Sequence, residues 1–177
     1  IEPDFNFSNN PINRFKVVEN NIDNLKQDKN QLLAKLREKL NSIEDCKLKN
    51  NSKNLVMGDG DINSPIMIIG EAPGELEDTS GHTFQGNVGS LLKKMLLAID
   101  LKIENVYSSY SINFRLPEDR KPTPQEIKRY SIFLKEHISI IDPKIIILMG
   151  SSAMEAIFGS NSKISIEREK GKKQFLK

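Results

Sequence analysis

Apolar positions follow two rhythms along this chain. In its first quarter Ile22, Leu25, Leu32, Leu33, Leu36, Leu40 and Ile43 recur at helical spacing, with Lys, Asp, Glu and Asn between them. That pattern predicts one long amphipathic helix over about residues 17–43, packed on the core by its apolar stripe. Further on, apolar residues come in short continuous runs. Ile66-Met67-Ile68-Ile69, Val106-Tyr107-Ser108-Ser109-Tyr110 and Ile145-Ile146-Ile147-Leu148-Met149 read as strands buried on both faces, as in a parallel sheet. Leu55-Val56-Met57 reads as a shorter strand, closed by Gly58-Asp59-Gly60.

Helical stretches fall between the strands. Leu91, Leu92, Met95, Leu96 and Ile99 form the expected apolar face of one helix. Thr123, Pro124 and Glu126 mark the start of another, with an N-cap, a proline in the first turn and a capping-box carboxylate. It is expected to run to about Ile140. Ser151-Ser152 is expected to cap a last helix ending near Phe158-Gly159. Alternating strands and helices predict an α/β fold with a central parallel sheet. Residues 1–16 read as a loose arm, 47–53 as a basic connector, and 164–177 as a basic tail without period. The expected division is an arm and helix over 1–45 and an α/β domain over 46–177.

Composition narrows the picture only a little. The chain of 177 residues is long enough for one such domain with a real core. A formal net charge of +2 gives no global signal for a nucleic-acid partner, so any such surface must be a local patch. The one cysteine, Cys46, excludes an internal disulfide and a cysteine-based metal site. No apolar run approaches membrane-spanning length, and no signal peptide is visible, so no membrane partner and a cytoplasmic location are the expectation.

Candidate chemistry clusters where the first buried strand ends. Gly70, Pro73 and Gly74 stop the strand and turn the backbone, and Glu71, Glu77 and Asp78 follow at once. Ligands of open α/β sheets bind at the carboxyl ends of strands, which puts these carboxylates where chemistry is expected. A solvated or helix-capping acidic loop remains the alternative. Next come Gly81, His82, Phe84, Gly86 and Gly89, a glycine-rich loop carrying aromatic side chains. Phe84 suits a stacking face or a core position. Arg115, Arg120 and Lys121 lie in a proline-stiffened loop suited to phosphates or simply to solvent.

These residues carry a resemblance. Gly70-Glu71-Ala72-Pro73-Gly74, then Glu77-Asp78, Gly81, Phe84, Gly86, Gly89, Leu91 and Leu92, resemble the first motif block of family 4 uracil-DNA glycosylases. Arg115-x-Pro117-x-x-Arg120-x-Pro122-Thr123-Pro124-x-Glu126-Ile127 resembles a later loop and helix start of that family. Pro143-Lys144, Gly150 and the stretch from Cys46 to Gly60 also match, so the resemblance covers roughly residues 44–172. It implies a three-layer glycosylase fold and release of uracil from DNA in base-excision repair. It further implies catalytic roles for Glu71 and Glu77, base contacts from Gly70, Ala72, Phe84 and Tyr110, and DNA contacts from Arg115, Arg120 and Lys121.

Three departures qualify what the resemblance implies. The family commonly holds a four-iron, four-sulfur cluster on four cysteines. Here the matching positions are Ile43, Cys46, Phe114 and Tyr130, and one thiolate cannot hold such a cluster, so no cofactor is expected. The family's uracil-recognising Asn at a strand end is replaced by Tyr110, which offers a hydroxyl instead of an amide. The family's C-terminal strand and its His-containing motif have no counterpart before Lys177. The leading expectation is therefore a truncated or split glycosylase, weakly active or inactive alone, with uracil-containing DNA and a separate C-terminal fragment as partners. An inactive DNA-binding remnant and a structural interaction protein are the alternatives.

Overall fold

The computed structural model describes the backbone of residues 14–44 and 46–159, and side chains from residue 28 onward except residue 45. The expected arm over 1–16 and the basic tail lie largely or wholly outside the described residues.

Four strands form one sheet: β1 (Gly58–Gly60), β2 (Ile66–Gly70), β3 (Tyr107–Tyr110) and β4 (Ile145–Leu148), in the order β1-β3-β2-β4. β2 is parallel to both β3 and β4, while β1 runs antiparallel to β3. The parallel core of the sheet is as expected, and the antiparallel edge is an addition. β1 also corrects the reading of Leu55-Val56-Met57 as a strand ended by Gly58-Asp59-Gly60. The glycines themselves pair with β3, because a Cβ on Gly58 would stand 2.6 Å from the Tyr107 hydroxyl. Val56 instead exchanges hydrogen bonds with Asn113: its N–H donates to the Asn113 carbonyl at 3.0 Å, and its carbonyl accepts from the Asn113 amide at 3.1 Å.

Six helices surround the sheet among the described residues: α1 (Arg14–Asn41), α2 (Lys47–Asn51), α3 (Glu75–Ser80), α4 (Gly86–Leu97), α5 (Pro124–Ile141) and α6 (Ser151–Phe158). α2 replaces the expected basic connector, with Cys46 as its N-cap. α3 replaces part of the expected acidic loop. α5 starts as its sequence dictates: the Thr123 hydroxyl accepts from the Glu126 N–H, and the Glu126 carboxylate accepts from the Thr123 N–H. Arg120 grips the same carboxylate at 2.7 and 2.9 Å, and these bonds hold Glu126 down to a pKa of about 2.

Alternation along the strands assigns the layers. Met67, Ile69 and Tyr107 point to the layer of α5 and α6. Ile68, Val106 and Tyr110 point to the α4 layer, against Leu92 and Leu96. Leu36 and Leu40 of α1 pack with Met57, Ile112, Phe114 and Tyr130 in a third cluster, as the amphipathic pattern requires.

Two expectations about burial are corrected. Leu91, Met95 and Ile99 are exposed, so the inward face of α4 is Gly89, Leu92 and Leu96 alone. Close approach selects that face: a Cβ on Gly89 would fall 1.6 Å from the Phe84 carbonyl oxygen. β4 is not fully buried either. Ile146 and Leu148 face the core, but Ile145 and Ile147 are 55% and 39% exposed. Among the described residues β4 pairs only with β2, and the α4 layer does not extend over it.

Candidate active site

β2 ends at Gly70 in the middle of the sheet, and the connections from it diverge. The chain leaves β2 through α3 and α4 to reach β3 on one side, then crosses through α5 to β4 on the other. That divergence is a topological switch point at the carboxyl ends of β2 and β4, where α/β sheets form a ligand-binding crevice. Glu71 stands there. Its Oε2 accepts a hydrogen bond from the Ser152 hydroxyl at 2.6 Å, across the crevice from the first turn of α6. The Glu71 carbonyl accepts from the Ser111 hydroxyl at 2.6 Å and the Ile112 N–H at 3.2 Å, so backbone and side chain are both fixed. Glu71 is half-buried and reachable by solvent. Ser152 is buried and was expected only as a helix cap. The cap of α6 is Gly150, at φ 103°, which frees the Ser152 side chain for Glu71.

Glu77 is placed differently. It is buried, and its two oxygens accept from the Gly74 N–H at 3.0 Å and the Gln85 N–H at 2.8 Å. It ties the start of α3 to the start of α4. Asp78 does the same for the preceding segment, accepting from the N–H groups of Lys53 and Asn54. Both carboxylates hold the loop that carries Phe84.

Gly70, Phe84 and Tyr110 come together, as the motif reading requires. The Phe84 and Tyr110 rings lie 5.0 Å apart at an interplanar angle of 39°. The Phe84 N–H donates to the Tyr110 hydroxyl at 2.8 Å. Phe84 has φ 49°, a left-handed conformation that costs on the order of 1–3 kcal/mol for a bulky residue and persists only when its surroundings impose it. A Cβ on Gly70 would stand 2.7 Å from the Tyr110 ring, so only glycine admits the ring this close. Burial pushes the Tyr110 phenol well above its ordinary value, and it remains a neutral hydroxyl. Ala72 is turned elsewhere and packs on the cluster of Phe114 and Tyr130.

The basic loop is more constrained than its sequence suggests. Arg115 forms a two-pronged ion pair with Asp119 at 2.8 and 3.1 Å, and Arg120 does so with Glu126. Lys121 is exposed. The histidines have separate partners. The His82 Nδ1 meets Asp59 at 2.9 Å, on the rim of a cavity of about 230 Å³ that also includes Thr83, Lys93 and Ser108. His137 is buried, with Nε2 at 2.8 Å from the Tyr107 hydroxyl.

Ile43, Cys46, Phe114 and Tyr130 converge in one cluster, although the first and last lie 87 positions apart in the sequence. The Cys46 sulfur lies 2.9 Å from the Tyr130 hydroxyl, and the Phe114 ring packs against Tyr130 at 6.1 Å. Burial and the neighbouring sulfur push the Tyr130 phenol upward. One thiol, one phenol and two side chains without donor atoms do not form a ligand set for an iron–sulfur cluster.

The chain matches the family model described as the uracil DNA glycosylase superfamily over residues 57–175. It is 34% identical over 141 residues to a Type-4 uracil-DNA glycosylase of Thermotoga maritima, covering 80% of this chain and 73% of that protein. It is 36% identical to a Type-4 uracil-DNA glycosylase of Archaeoglobus fulgidus, covering 74% of this chain and 67% of that protein. A third Type-4 uracil-DNA glycosylase, from Sulfurisphaera tokodaii, is 38% identical, covering 79% of this chain and 65% of that protein. The alignments thus span about two thirds to three quarters of these relatives. With this sheet, this crevice and these matches, the chain belongs to the uracil DNA glycosylase superfamily.

Proposed function

We propose that this chain hydrolyses the bond between uracil and deoxyribose in DNA, the first step of base-excision repair. The observation that carries the reading is the Glu71 carboxylate, fixed by Ser152 in the β2–β4 crevice and adjacent in sequence to the Gly70–Phe84 shelf.

The chemistry follows from that placement. The target nucleotide leaves the base stack, and its base enters against the Phe84 ring. As the bond between C1′ and the base breaks, its electron pair leaves with uracil and positive charge grows on the sugar. Glu71 stabilises that charge and orients a water, whose oxygen bonds to C1′. One of the water's protons passes to the departing uracil, and the other stays on the new C1′ hydroxyl. Electrostatic and general-base contributions of this kind are each worth about 10²–10³-fold or more. Glu77 serves the same site indirectly, by clamping the loop that presents Phe84.

Arg115, Arg120 and Lys121 are the proposed contacts to the DNA backbone. Arg115 is held by the exposed carboxylate of Asp119, a kind of pair that contributes only about 0–1 kcal/mol, so a phosphate can displace it, while Arg120, bonded to the half-buried Glu126, gives up more to reach one. We also propose that the chain works without an iron–sulfur cluster, with the Cys46–Tyr130 contact and its apolar surroundings filling the position of the family's metal centre.

The test is uracil release from a uracil-containing single-stranded oligonucleotide, with Glu71→Ala as control. Release by the wild type and a loss of at least about 10²-fold in the variant, with unchanged thermal melting, is the expected result. Equal release from both would remove Glu71 from the mechanism. Iron assayed in the same preparation is expected at trace level, and stoichiometric iron would sink the cluster-free reading.

A further inference from the structure

Tyr110 stands where a base is expected to lie. Its ring is bounded by Phe84 at 5.0 Å and by the bare backbone of Gly70, and only 4% of the residue is exposed. A phenol ring and a pyrimidine have nearly the same width, so the space that holds one would hold the other. The arrangement is also more specific than ordinary core packing. The Tyr110 hydroxyl fixes the N–H of Phe84, whose left-handed backbone is otherwise unfavourable, and the next residue, Ser111, just past β3, bonds the carbonyl of the strand-end Glu71. Strain held in place by a specific hydrogen bond beside a reactive group is a mark of a working site.

We propose that the Tyr110 ring occupies the base slot of this chain, and that its displacement from between Phe84 and Gly70 is what admits a pyrimidine. This rests on the reading of Phe84 as the stacking face. Tyr110 is then the specificity-determining residue: a base enters only if it competes with the chain's own aromatic ring for the Phe84 face. The hydroxyl couples the two events, because moving the ring releases the Phe84 N–H and lets the loop over residues 81–86 adjust.

The experiment measures binding of free uracil by ligand-observed NMR to the wild-type chain and to Tyr110→Ala, Tyr110→Val and Tyr110→Phe. Val suits a strand and guards against loss of fold in the Ala variant. Each protein is first shown to melt cooperatively. Binding at least about tenfold tighter in the Ala or Val variant than in wild type is expected, with Phe in between, because its ring still fills the slot but no longer holds the Phe84 N–H. Wild-type binding equal to that of the folded small-residue variants overturns the proposal, as does absence of binding in all of them. Uracil release from an oligonucleotide is measured in parallel. Gain of uracil binding without release from any protein leaves the slot assignment standing and counts against the hydrolytic reading. Release by wild type that is lost in the small-residue variants shows that Tyr110 supports the base, and overturns the proposal.

Discussion

On one side of β2 lies β3, with every residue buried and helices on both faces; on the other lies β4, the edge strand among the described residues, with alternate residues exposed. The β3 side is saturated with internal partners. Tyr110 holds Phe84, Ser108 meets Thr83, and Tyr107 and Ser109 meet His137. Among the described residues the β4 side has one side-chain bond across its crevice, from Ser152 to Glu71. Internal bonding is therefore concentrated on one flank of the central strand, and access to the proposed catalytic carboxylate on the other. A carboxylate that must meet a substrate belongs where the protein has not used up its hydrogen-bonding capacity.

The sharpest test of that division is a pair of truncations on neighbouring strands. Ile68→Ala removes a fully buried side chain facing the α4 layer and is expected to cost about 3 kcal/mol, the usual range for such a cavity. Ile147→Ala, on exposed β4, is expected to cost less than about 1 kcal/mol. Urea melts of both variants measure the difference. Comparable losses would mean that the exposed face of β4 is covered in solution, and the contrast between the flanks would fail.

A second test concerns pH. Burial pushes His137 down to a pKa of about 4, so the folded chain keeps it neutral where an unfolded imidazole takes up a proton. The unfolded state then binds more protons than the native state between about pH 6.5 and 4. Stability from this group is complete above 6.5 and falls as the pH drops through that window, by about 3 kcal/mol in all. His137→Leu should be less stable at pH 7.5, since Tyr107 loses a partner, but its stability should fall less steeply toward pH 4.5. An unchanged slope in the variant would show that other groups set the acid sensitivity.

Much of this architecture was legible because hydrophobic runs and caps are local signals. β2, β3 and α5 stand where the sequence puts them, and the capping box of Thr123 and Glu126 forms as written. The inward face of α4 was not legible. Its apolar residues run around most of the helix, and only the close contact of Gly89 with the Phe84 backbone selects one side. The position of Glu71 just past a strand end could be read from the sequence. Ser152 could not, because its partner lies 81 residues away and the Gly150-Ser151-Ser152 run reads equally well as a cap. The arginines misled in the same way: residues 115 and 120 look like free cations until Asp119 and Glu126 are seen to grip them.

The smallest expected effect tests the single bond on the open flank. Ser152→Ala leaves β2 and its ladder intact and removes only the hydroxyl on Glu71 Oε2. A hydrogen bond to a charged group is worth about 1.5–3 kcal/mol, of which a solvent-accessible carboxylate recovers part from water. The rate of uracil release should fall roughly tenfold with affinity for the oligonucleotide unchanged, because Ser152 acts through Glu71 and touches no substrate. Ser152→Thr keeps the hydroxyl and should restore most of the rate. A loss of affinity with the rate preserved would place Ser152 in the DNA contact instead. A full rate in the Ala variant would mean that β2 alone positions Glu71, and that the open flank needs no partner at all to hold its reactive group.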